Sequence, residues 1–227
     1  MGGRLTDLTF DQWLSHVFDH PVDSSRQEWY WQPDTDWWEG APAVTVQFLT
    51  RLFEHAQQLL QPYSDAQLNQ GLWYIASNAC SNHMFALMDV DVPWPARQRC
   101  LRSMHDLFAQ CFARRCTPHL GHLPETEPGA SPLNLVCYMW WDILPIGGRP
   151  EDPNGADLNL EILKVMESTL QLDSVACQES ALHGLGHWHF HAPQQVEEII
   201  NTYLKRQNDL REELRLYAMS ARRGCVL

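Results

Sequence analysis

The sequence predicts an all-α fold of stacked antiparallel helix pairs forming a short α-α superhelix, with a compact helical bundle as the alternative arrangement. Three observations lead there. Apolar residues recur at three- and four-residue spacing through most of residues 43–222. Prolines and N-cap residues fall between these periodic runs. Segments of alternating polarity, the mark of a half-buried strand, are absent.

The elements follow in order. Thr9 and Gln12 form a capping box, and Phe10, Trp13, Leu14, Val17 and Phe18 continue at helical spacing until Pro21. Residues 21–42 are polar and aromatic, and Trp29, Tyr30, Trp31, Trp37 and Trp38 should pack them down onto helices. Phe48, Leu49, Leu52, Phe53, Ala56, Leu59 and Leu60 predict one helix over 43–60; Val44-Thr45-Val46 reads as part of it. Ser64 and Asp65 open a helix over 64–81. Pro95 sits where the first turn of a helix over 94–116 tolerates it. A proline-rich loop leads to 133–144, apolar nearly all round and therefore expected at the centre.

Helices at 157–171, 174–189, 193–206 and 209–222 complete the chain, the last opened by Asp209 with Glu212 as a capping pair. One domain, 1–227, results: an N-terminal helix and acidic tryptophan-rich segment (1–42), then four hairpins. They join 43–60 to 64–81, 94–116 to 133–144, 157–171 to 174–189, and 193–206 to 209–222.

Of the 227 residues, 44% are hydrophobic and 19% charged, the composition of a folded chain. The net charge of −12 argues against nucleic-acid backbones and suits a basic protein partner. Residues 1–40 hold eight acidic and two basic side chains, so half of that charge sits there. Seven cysteines, an odd number without a C-x-x-C pair, read as reduced core residues of a cytoplasmic protein. No signal peptide and no membrane span are expected.

Asp173-Ser174-Val175-Ala176, leading to Ala181-Leu182-His183-Gly184-Leu185-Gly186, resembles the second helix of a HEAT or armadillo-like repeat, with alanine at 176 where such units usually carry arginine. The resemblance implies an α-α superhelix whose second helices line a partner-binding concave face. Those helices would present Trp73, Asn78, Tyr138, Trp141, Asp142, Glu179, His183 and His187. The leading expectation is thus a non-enzymatic protein-binding scaffold without a cofactor, of the bacterial immunity or adaptor kind. A structural subunit of a larger assembly is a further reading.

The rival reading comes from residues alone. Glu179, His183 and His187 fall at i, i+4 and i+8 along one helical ridge, near His189 and His191. Two such histidines can aim ring nitrogens at one divalent metal such as zinc, with the carboxylate a turn back as third ligand, giving a hydrolase-like centre. H-E-x-x-H is absent, as are G-x-S-x-G and glycine-rich phosphate loops. His105, His119 and His122 are further donors that a distributed site with His187 would draw on. Asp142, in an otherwise apolar helix, reads first as an Asp near the helix end that is paired or faces the groove; buried, it would need partners such as an arginine and could carry a raised pKa.

Overall fold

In the computed structural model, which describes residues 2–23, 27–123, 129–206 and 209–226, the side chains of Thr9, Ser64 and Ser174 cap helix starts. Helix α1 (Phe10–Phe18) begins with a reciprocal box: the Gln12 amide donates to the Thr9 hydroxyl and the Thr9 amide to the Gln12 side chain. Two otherwise orphaned donors are satisfied this way. Around α1, a parallel bridge pairs β1 (Arg4–Leu5) with β2 (Trp37–Trp38), Arg4 opposite Trp37. The sequence was expected to hold no strand; two residues per strand are too few for alternation to show.

The run expected as one helix over 43–60 is broken. Helix α2 (Pro42–Glu54) stops at His55, and a single turn, α3 (Ala56–Leu59), follows. The break is stabilised from outside the helix, because Gln110 donates to the Glu54 carbonyl and accepts from the Gln57 amide. Helix α4 (Asp65–Ala76) opens with a second capping box, Ser64 and Gln67, and ends at Ser77 rather than at 81. Helix α5 (Trp94–Leu107) passes through a π turn, Phe108–Phe112, into the short α6 (Ala113–Arg115).

After it come α7 (Leu133–Ile143), α8 (Gly155–Thr169), α9 (Val175–Trp188), α10 (Pro193–Arg206) and α11 (Glu212–Ala221). Helix α11 starts later than the capping pattern implies: Arg211 occupies the cap position, and Asp209 does not cap it. No helix among the described residues is long and apolar enough to cross a membrane.

The helices form two layers. One runs α2, α5, α8, with α10 beside α8; the other runs α1, α4, α7, α9, α11. In the first two hairpins, backbones approach the neighbouring hairpin more closely than their own partner.

Helix α9 rather than α7 is the most enclosed element. Every residue from Ala176 to Gly186 is buried, whereas Leu135 of α7 is 56% exposed. Small side chains explain the difference. A Cβ added to Gly184 would lie 2.6 Å from the Cβ of Trp141 and 2.7 Å from the sulfur of Met166. The Ser180 hydroxyl donates to the Cys137 carbonyl across the same contact.

Two polar clusters fix the ends of the layers. Arg97 of α5 and Asp152 form a buried bidentate pair at 2.6 and 3.3 Å, and Arg97 also donates to the Val92 carbonyl. This ties the glycine- and proline-rich loop before α8 to the start of α5. At the N-terminal end, the Trp13 indole donates to Nε2 of buried His83 at 2.9 Å, leaving Nδ1–H to donate to Ser81 at 2.7 Å. Burial lowers the His83 pKa to about 3. Trp29, stacked on His20, and Trp38 pack the tryptophan-rich segment down, whereas Trp31 and Trp37, expected to do the same, are exposed.

Gly184→Ala should cost about 1–3 kcal/mol by forcing α7 and α8 off α9, read as a lower denaturant midpoint at unchanged slope. Arg97→Ala, which strands a buried carboxylate, should cost about 3–5 kcal/mol in the same measurement.

Candidate metal centre

The ridge Glu179, His183, His187 on α9 is split by its surroundings. Glu179 is 1% exposed, and its carboxylate accepts from the Gly121 amide at 2.8 Å, the His122 amide at 3.1 Å and His122 Nδ1 at 2.6 Å. Three donors converge on one buried anion, which satisfies it and clamps the loop after Thr117 onto α9. That carboxylate is turned away from the two histidines as a ligand.

Asp142 stands in the ligand position that helical spacing assigns to Glu179. Its Oδ1 lies 3.5 Å from His187 Nε2, and His187 Nε2 lies 3.2 Å from His183 Nε2. Donor atoms of Asp142, His183 and His187 all fall within 4.8 Å of one another. An ion bonded at about 2.0–2.1 Å in a tetrahedron spaces its donors about 3.3 Å apart, close to the two edges that meet at His187. The close α7–α9 contact at Gly184 brings the carboxylate to the helical histidine pair.

Solvent reaches the cluster from one side. His183 is buried, whereas the side chains of Asp142 and His187 are each 38% exposed. Asp142 is thus the helix-end Asp of the first reading and not the buried carboxylate of the second: it sits one residue before the end of α7, beside His187. Burial, reinforced by neighbouring His187 and opposed by Asp142, lowers the His183 pKa to about 4, so this imidazole is neutral at pH 7. A neutral ring has a lone pair to offer a metal.

Behind His183 lies a second tier. Its Nδ1 is 2.7 Å from the Tyr217 hydroxyl, which is 3.1 Å from the Tyr138 hydroxyl. The Tyr138 ring packs against His183 at 4.3 Å, and the Tyr217 ring stacks on His122 at 4.1 Å and 15°. Burial pushes both phenols above their usual range. A depression of about 430 Å³ opens here, lined by Gly121, His122, Tyr138, Tyr217, Ser220 and Cys225.

The structure thus brings Tyr138, Asp142, Glu179, His183 and His187 together. Trp141 is instead core, 5% exposed and stacked on Phe108. Trp73, at the end of α4, and Asn78, exposed in the following turn, share no hydrogen bond or ring contact with the cluster among the described residues. Of the eight residues expected to line one concave face, Trp141, Glu179 and His183 are buried.

Tyr217 was readable only as an inward residue of its helix; its partner is 34 positions away, beyond any local spacing signal. His122 meets Glu179 rather than His187. No family model matches the chain, and neither does any curated protein or solved structure.

Both His83 and His183 are neutral in the folded protein, with pKa values lowered to about 3 and about 4. The unfolded chain binds these protons below about 6.5, so stability should fall as the pH drops from there. Each group contributes up to about 1.4 kcal/mol per pH unit until its folded value is reached. Denaturation curves at several pH values between 6.5 and 4.5 check this, and a flat profile would contradict it.

Proposed function

We propose that the chain is a metal-dependent enzyme of hydrolase-like chemistry, with a divalent metal such as zinc held by Asp142, His183 and His187. The observation that carries this reading is the convergence of two imidazole nitrogens and a carboxylate at donor–donor spacings of 3.2 and 3.5 Å, on the solvent-open side of a buried helix. Two histidines and a carboxylate with an open position form a recurrent ligand set for catalytic metals. Such an ion, when bound, activates a coordinated water and polarises a substrate oxygen. His183 supplies a neutral, rigid donor from the core; Asp142 and His187 supply donors at the rim. Glu179 holds the loop that carries His122 and is not a ligand in this reading.

A second reading, a HEAT-like scaffold for a basic protein partner, is favoured by a different observation. Each layer stacks helix on like helix, and the chain carries a net charge of −12. An immunity-type or adaptor role, and a cytoplasmic setting suited to seven free thiols, belong to this proposal. The two readings are compatible in one molecule and differ in whether the metal is needed.

Elemental analysis of untagged protein after zinc loading tests the first. Wild type should carry about one equivalent, falling to background in Asp142→Ala and in a His183→Ala/His187→Ala double variant. Glu179→Gln should keep its metal. A metal-free wild type, or full occupancy in the double variant, would end the metal reading.

A further inference from the structure

We infer that Tyr217 is a positioning residue that sets the tautomer of His183 and thereby controls metal loading at the Asp142, His183, His187 centre; the inference rests on the metal reading above. The two Nε2 atoms of His183 and His187 lie 3.2 Å apart. With both rings neutral, such a pair is joined by a single proton: one ring donates and the other accepts. The centre in this form is satisfied internally, and one of its two imidazole lone pairs is spent on the other ring.

A metal needs both Nε2 lone pairs free, so His183 must carry its proton on Nδ1. That proton points into the core, where His183 is 1% exposed, and requires an acceptor. The Tyr217 hydroxyl, 2.7 Å away and 7% exposed as a residue, is that acceptor. A phenol both donates and accepts. When His183 is the donor of the ring pair, the phenol donates to Nδ1; in the ligand-competent form it accepts from Nδ1–H and sends its own proton toward the Tyr138 hydroxyl at 3.1 Å.

Tyr217 is held for this role. Its ring stacks on His122, which the buried Glu179 carboxylate grips at 2.6 Å through Nδ1. Neighbours that orient ligating histidines in this way are worth roughly 10–100-fold in metal affinity.

The test uses the full chain, titrated with cobalt(II) and followed by its visible absorption, with zinc in competition. Tyr217→Phe keeps the stacked ring and loses only the hydroxyl. It should bind cobalt roughly 10–100-fold more weakly than wild type. Tyr203→Phe is the control for a merely structural loss: it removes another buried phenol bonded to α9, through Gln178 at 3.2 Å, remote in bonding from the centre. It should bind cobalt as wild type does.

Nitrogen-15 histidine spectra of wild type give a readout independent of any variant's folding. In the zinc-bound protein the His183 proton should be on Nδ1 with Nε2 metal-bound. Equal cobalt affinity in wild type and Tyr217→Phe, equal weakening in Tyr203→Phe, or zinc bound through Nδ1 would overturn the inference while leaving the metal site standing. Absence of cobalt and zinc binding in wild type would instead remove the metal reading itself, and this inference with it.

Discussion

The near-contact between α9 and α7 at Gly184 is the constraint on which the candidate centre depends. Without a side chain at that position, the backbone of α9 can come close enough for the Trp141 side chain to lie against it. Trp141 then fills the core beside Phe108, and the next residue, Asp142, is carried to the edge of the helix beside His187. Nothing local in α7 would place a carboxylate there. It is a consequence of how far apart two helices sit, which in a close-packed interior depends on single side-chain volumes.

Burying the polar side of α9 has a cost that the surrounding groups offset one by one. Glu179 is met by three donors, Ser180 gives its proton to a carbonyl, and His183 has a partner on each nitrogen. A buried polar network of this kind is stable only when every member is paired. The pairing partners come from the loop after Thr117, from α7 and from α11. The polar face of α9 thereby selects its own neighbours as firmly as its apolar face does.

Much of the architecture was legible in the sequence because it rests on local rules. The capping boxes at Thr9 and Ser64, the tolerance of Pro95 and the apolar spacing in α5 each act within a few residues. The break at His55 was not legible, since the group that stabilises it, Gln110, lies more than fifty positions away. The candidate site divides along the same line. The i, i+4 pair His183 and His187 could be read from helical geometry alone. Choosing Asp142 over Glu179 as its companion could not, because only Glu179 satisfies the local pattern, and the loop carrying His122, which already occupies it, lies far away in sequence. Trp141 misled for a related reason: helical phase places it on the inward side but does not say whether that side faces a groove or another helix.

The π turn at Phe108–Phe112 has a consequence beyond its own helix. A π turn takes up one more residue than an α-helical turn, and each residue advances a helix by about 100°. It therefore works as a phase adjuster in α5 and α6. Beyond it, Arg115 emerges facing Asp65 and the Leu60 and Tyr63 carbonyls, and Asp65 also accepts from Ser131. That anchorage aims the departing chain toward α9, where Gly121 and His122 meet Glu179. Removing one residue to make the helix regular would swing this exit by about a quarter of a revolution. A change in helical count on one layer would thus be felt as a misdirected loop on the other.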